Sequence, residues 1–82
     1  MTPEQFNKAN EIQDEIEFLN DHKEHITNIK IRHDLFLRIE NDDIRQELEE
    51  KLLPIKLDQF IDQYIQNIEK RIVELEKEFK NL

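Results

Sequence analysis

The sequence predicts a mainly α-helical protein, an antiparallel helical hairpin with a small β-hairpin and a short helix at its tip. Apolar residues recur at intervals of three and four near both ends of the chain, which is typical of amphipathic helices. Between these two regions the apolar residues alternate, which is typical of strands. A chain of 82 residues accommodates one domain with a thin core, so residues 1–82 are expected to form a single domain.

The first helix is predicted over residues 3–25. Thr2 is a good N-cap, Pro3 suits the first helical position, and Gln5 stands at the capping-box position. The apolar stripe that follows consists of Phe6, Ala9, Ile12, Ile16, Leu19 and Ile26, with Lys23 in the one slot that is not apolar.

A β-hairpin is predicted over residues 27–40. Its aliphatic residues share one parity, so a loop at Arg32-His33-Asp34 would place all of them on one face. They are Ile29, Ile31, Leu35, Leu37 and Ile39. Such a loop favours Gly or Asn, and only Asp34 is available here, so a helical continuation is the alternative.

Two further helices are predicted after this segment. Asn41-Asp42-Asp43 is a capping cluster, which indicates a short helix over residues 42–52 that Pro54 ends or kinks. The last helix, residues 55–81, carries a heptad seam typical of a coiled coil and forms the antiparallel partner of the first helix. The seam residues are Ile61, Ile65, Ile68, Ile72, Leu75 and Phe79.

Apolar residues outside the helical seams indicate self-association. Phe18, Phe60, Tyr64 and Val73 lie off both stripes, and two helices packed together cannot bury them as well as their own seam. We expect a symmetric homo-oligomer, most often a dimer.

The net charge of −8 argues against binding to nucleic acids in general and to anionic membranes. The N-terminus lacks a basic segment followed by an apolar one, and no apolar run approaches the ~20 residues of a membrane span. We therefore expect a cytoplasmic protein. A ribbon-helix-helix DNA-binding arrangement fits the charge poorly.

The composition also excludes several kinds of catalysis. There is no Cys, Ser or Gly, so thiol and serine nucleophiles and glycine-rich phosphate loops are absent, and we expect neither an enzyme nor a cofactor. His22 and His25, with Asp21, have a spacing that could bind a divalent metal, but histidines in the last turn of a helix also interact with its dipole.

One segment is basic although the chain is acidic. Residues 22–38 contain all three His and four Lys or Arg residues against two acidic ones. The candidate binding residues for a phosphate, a nucleotide or an acidic protein surface are Lys23, Lys30, Arg32, His33, Phe36 and Arg38. Alternatively, these side chains form the exposed face of the hairpin and pair across strands or with an acidic helix of a neighbouring subunit.

The stretches Phe6–Ile12 and Ile68–Phe79 resemble small uncharacterised coiled-coil proteins of bacteriophages and mobile elements. The resemblance implies an acidic helix, a variable tip and a charged coiled-coil helix, and it transfers no catalytic or binding residue. It suggests a phage-encoded protein of counter-defence or host takeover, which binds itself and a host protein. The competing hypothesis is a protein that sequesters a small anionic ligand, such as a cyclic nucleotide, at a basic site between subunits.

Overall fold

The computed structural model describes residues 2–32 and 35–82. The elements in chain order are helix α1 (Pro3–Ile31), strands β1 (Arg38–Glu40) and β2 (Arg45–Glu47), a 3₁₀ turn (Glu50–Leu52) and helix α2 (Leu57–Lys80). The two long helices pack side by side and a two-stranded antiparallel sheet lies between them in the chain, as the sequence predicts. Within the described residues, neither helix combines the length and hydropathy that crossing a membrane requires.

The helices run antiparallel, which follows from the side chains that join them. Residues progressively earlier in α1 contact residues progressively later in α2, as in the pairs Lys30–Asp62, His22–Tyr64 and Glu15–Arg71. The predicted helical hairpin is therefore confirmed.

The start of α1 is a capping box, as predicted. The Gln5 N–H donates to the Thr2 hydroxyl oxygen (3.1 Å), and the Thr2 N–H donates to the Gln5 side-chain carbonyl (3.0 Å). These bonds satisfy N–H groups that a helix terminus otherwise leaves without an acceptor in the protein.

The core lies along the α1–α2 contact and is small. Its buried side chains are Ala9 and Ile12 of α1 and Leu57, Ile61, Ile68 and Leu75 of α2. Ile65 and Ile72 of the predicted seam are half-buried, and Phe79 is 38% exposed. Phe6, which the helical stripe of α1 also includes, is 57% exposed. One neighbouring helix thus covers one side of the seam and leaves the other side partly open.

The prediction that helix 1 ends at residue 25 and is followed by a hairpin over 27–40 is wrong. α1 continues to Ile31, in agreement with the helical alternative. Thr27 donates its hydroxyl proton to the Lys23 carbonyl (2.8 Å), and Lys30 contacts Asp62 of α2, so this segment is held as helix by local and tertiary contacts. The predicted loop residues His33 and Asp34 lie outside the described residues.

The hairpin lies further along the chain, with β1 and β2 paired in the register Arg38↔Glu47 and Glu40↔Arg45. Opposite charges therefore face each other across the strands, and the Arg45 Nε lies 3.0 Å from a Glu40 carboxylate oxygen.

The predicted short helix over residues 42–52 is also wrong, because the chain there forms the hairpin loop, β2 and the 3₁₀ turn. The Asn41 side-chain oxygen accepts the N–H groups of Asp43 (2.9 Å) and Ile44 (2.8 Å), which are the bonds an N-cap would make. Here they stabilise a loop, which the Asn41 N–H closes by donating to the Ile44 carbonyl (2.9 Å). α2 begins at Leu57, after Pro54, close to its predicted start.

Candidate interaction surface

The two predicted lysines of the basic segment are paired with acidic residues of α2. The Lys23 ammonium lies 3.0 Å from a Glu69 carboxylate oxygen, and Lys30 forms an ion pair with Asp62. Lys30 is seven residues beyond Lys23, so both lysines lie along the same side of the helical pair. We call this side, with Lys23, Lys30, Asp62 and Glu69, the charged flank.

The other predicted binding residues lie in different places. The Arg38 Nε lies 3.7 Å from a Glu40 carboxylate oxygen on the same strand, and the Arg32 N–H caps the end of α1. Phe36 is 55% exposed, and His33 is outside the described residues. The structure therefore divides Lys23, Lys30 and Arg38 between two surfaces and gives each a carboxylate partner.

His22, one of the two candidate metal ligands, lies in an aromatic cluster. Its Nε2 is 2.7 Å from the Tyr64 hydroxyl oxygen, and its ring stacks on Phe18 with 5.5 Å between the ring centres. The Tyr64 ring meets the His22 ring edge to face at 5.6 Å. Among residues 2–32 and 35–82 no group of three or more His, Cys, Asp or Glu side chains is arranged to hold a metal ion.

This cluster belongs to a longer apolar surface on the opposite side of α2 from the charged flank. Asp62 is two residues from both Phe60 and Tyr64, which is about 160° around a helix of 3.6 residues per turn. In α1, steps of four, three and four residues place Phe18, His22, His25 and Ile29 in one row. In α2 the same steps form a second row from Phe60 to Arg71, which the His22–Tyr64 contact joins to the first. We call the surface formed by the following residues the aromatic flank: Phe18, His22, Ile29, Phe36, Phe60 and Tyr64.

A groove of about 290 Å³ occupies the end of the aromatic flank nearest the β-hairpin. Its exposed walls are Ile29, Phe36, Phe60 and Tyr64, and the buried Ile61 contributes to its lining. Because most of these side chains are carbon-rich, the groove accepts an apolar side chain more readily than a charged ligand.

Three of the four off-seam residues that the sequence indicates as an association surface meet here. Phe18, Phe60 and Tyr64 belong to the aromatic flank. Val73 is 49% exposed but lies on another side of α2, against Glu69 and Lys70. The contact between His22 and Tyr64 could not be predicted, because 42 residues separate them.

At the end away from the groove, the aromatic flank is bordered by an ion pair between α1 and α2. The Arg71 guanidinium donates two hydrogen bonds to Glu15, at 3.2 and 3.4 Å, and the bonding to Glu15 raises the pKa of Arg71. No Asp or Glu occupies either of the two rows between this pair and the groove. The aromatic flank is thus poor in negative charge although the chain is acidic overall.

A second groove, of about 390 Å³, lies between the first half of α1 and the end of α2. Ile16 and Phe79 are its apolar walls, and Gln13, Glu17, Glu76 and Lys80 surround them. Four of its six lining residues are charged or carry an amide, whereas the lining residues of the groove at the aromatic flank are all aliphatic or aromatic.

No family model, curated protein or solved structure matches this chain. The candidate surface is accordingly assigned from its geometry and chemistry.

Proposed function

We propose that this chain is a non-enzymatic protein-interaction module that acts as a homo-oligomer, most simply a dimer. The supporting observation is the exposure of the aromatic flank. Five large apolar side chains there are between 40% and 63% exposed, namely Phe18, Ile29, Phe36, Phe60 and Tyr64.

The small core makes this exposure significant for association. Six apolar residues are buried among those described, whereas the aromatic flank alone leaves five large ones in contact with water. Single exposed apolar residues are common on protein surfaces, but contiguous patches of several hundred Å² mark interaction sites. Burying this patch against a protein would release water from apolar surface, which is the main favourable contribution to most protein association.

The charged flank is less suited to that role. Its lysines already have carboxylate partners, and the side chains of all four residues remain between 35% and 52% exposed. Ion pairs in contact with water contribute up to ~1 kcal/mol each, and a partner would have to desolvate them. The competing proposal, a basic site for a small anion, has correspondingly less support, because Lys23, Lys30 and Arg38 are all paired with acidic residues.

Light scattering during size-exclusion chromatography tests the proposal. The full chain, loaded over a range of concentrations, is expected to elute with twice the 10.1 kDa mass of one chain. Phe60→Ser should shift it toward the monomer, because Phe60 is a wall of the groove.

The matched control is Leu52→Ser, which also removes an exposed apolar side chain, 76% exposed, but outside the aromatic flank. Circular dichroism would verify that both variants keep their helices. A monomeric mass at concentrations up to about 1 mM, the weak end of the affinity scale, would refute the proposal.

A further inference from the structure

We infer that two copies of this chain associate through their aromatic flanks about a two-fold axis, with Phe18 of each copy seated in the groove of the other. The inference rests on the proposed function and adds the identity of the partner surface and its register.

The spacing of the α1 row is the first argument. Its steps of four, three and four are symmetric about the midpoint between His22 and His25. A two-fold axis that passes over that midpoint, lies in the plane between the two flanks and is perpendicular to α1 brings the flanks face to face. It places Phe18 of one copy opposite Ile29 of the other. The same contact is then made twice, as an interface between identical surfaces requires.

The shapes of the two ends are complementary. Phe18 is 63% exposed, which is the largest exposed fraction on the aromatic flank, and it is not part of the groove lining. Ile29 is a wall of that groove, together with Phe36 and Phe60. The two-fold axis therefore brings a projecting ring to an apolar groove at both ends of the interface.

The apolar area agrees with what a stable dimer needs. A half-exposed aromatic side chain offers roughly 75–125 Å², so the five exposed side chains of the flank present roughly 400–600 Å² per copy. An interface of standard size buries ~800 Å² per partner, of which somewhat more than half is apolar. The aromatic flank thus supplies about the apolar area that one side of such an interface contains.

Charge favours a second copy at this surface. Two chains of net charge −8 repel each other, so they associate best where few carboxylates face the contact. The two rows of the aromatic flank contain none between Phe18 and Ile29 or between Phe60 and Arg71. A cationic partner would instead be attracted to the acidic surfaces elsewhere on the chain.

Chemical crosslinking tests the register, because the chain has no Cys of its own. Phe18→Cys and Ile29→Cys chains, carrying different mass tags, are mixed and treated with a bifunctional maleimide that spans the ~8–10 Å between packed helices. A mixed covalent dimer is expected. Phe18→Cys alone should give little product, since its two copies would lie roughly 16 Å apart along the helix at 1.5 Å per residue.

The control mixture pairs Phe6→Cys with Ile29→Cys. Phe6 is 57% exposed on α1 but lies outside the flank, so it should crosslink no better than background. Equal yields from the two mixtures would overturn the proposed register.

Affinity gives an independent measurement. Phe18→Ser should weaken dimerisation by roughly 100-fold or more, because each dimer loses two contacts between an aromatic ring and an apolar groove. Phe6→Ser should leave the Kd within about threefold of the unaltered chain, since substitutions outside an interface change affinity little. An unchanged Kd in Phe18→Ser would contradict the inference. If the unaltered chain dimerises without the expected crosslinks, the docking geometry alone fails, whereas a chain that stays monomeric refutes both proposals.

Discussion

Substitution of Leu75 by Ala tests how much of the fold depends on the α1–α2 contact. Leu75 is 1% exposed and is the most deeply buried large side chain of α2. Removing three carbon atoms loses about 2.4 kcal/mol of transfer free energy at ~0.8 kcal/mol each. The remaining cavity adds to this loss, and buried Leu→Ala changes cost about 2.7–5 kcal/mol in total. We expect a loss of about 3 kcal/mol, because a contact between only two helices can partly close around the cavity.

Urea unfolding followed by circular dichroism measures this loss. A chain of this length has a free energy of unfolding of about 4–12 kcal/mol, so the change removes a large share of it. With a slope near 1 kcal/mol per molar urea, the midpoint should fall by about 3 M. All samples need the same protein concentration, because association with a second copy raises apparent stability.

Leu52→Ala is the control for the Leu75 experiment. The same chemical change is made at a side chain that is 76% exposed, so the expected effect is within about 0.5 kcal/mol. If Leu75→Ala and Leu52→Ala shift the midpoint equally, the α1–α2 contact is not the core of this protein.

Three further predictions concern the helix cap, the hairpin loop and the basic side chains. Thr2→Ala should lower the free energy of unfolding by about 1 kcal/mol, because it removes the hydroxyl of the capping box. Thermal unfolding measures this loss, and an unchanged stability would show that the start of α1 frays. Asn41→Ala removes the acceptor of two loop hydrogen bonds, so cross-strand NMR contacts between β1 and β2 should weaken while helical signals persist; unaltered cross-strand contacts would contradict this role. Titration calorimetry with a cyclic nucleotide should give no heat of binding, either for the unaltered chain or for a variant with three basic residues changed to Gln. If the unaltered chain binds and the triple variant does not, the anion-binding hypothesis is favoured. The three residues changed are Lys30, Arg32 and Arg38.

The two long helices could be predicted because their signals are local. Thr2 and Gln5 lie three residues apart and form the predicted capping box. The seam of α2 repeats every three or four residues, and its members Ile61, Ile68 and Leu75 are buried. A secondary-structure element can be predicted from sequence when its local preferences and its tertiary contacts favour the same structure, as they do here.

The tip could not be predicted, because its local signals suit two structures. Ile29 fits the alternating pattern of a strand and also a row on a helix, and the contact that favours the helix, between Lys30 and Asp62, joins residues 32 apart. Asn41 makes the same two side-chain hydrogen bonds in a hairpin loop as it would at a helix N-cap. The sequence therefore predicts a hairpin correctly but not its position.

The environment of the basic segment could not be predicted either, because it depends on residues that are distant in the sequence. Its composition is evident from residues 22–38 alone, but the carboxylates that pair with Lys23 and Lys30 come from α2. Conversely, Phe18, Phe60 and Tyr64 could be recognised as unused apolar residues, while their placement on one surface depends on the helix packing.

The different character of the two flanks determines what kind of assembly the proposal allows. An apolar patch that matched a separate groove on the opposite side of the molecule would add copies without limit and form a fibre. Here the projecting Phe18 and the groove at Ile29 lie on the same flank, and the opposite side carries the solvated ion pairs of Lys23 and Lys30. A two-fold contact would use both features at once and leave charged flanks outward on both copies. The net charge of −8 per chain then opposes further addition, so the proposed association closes at the dimer.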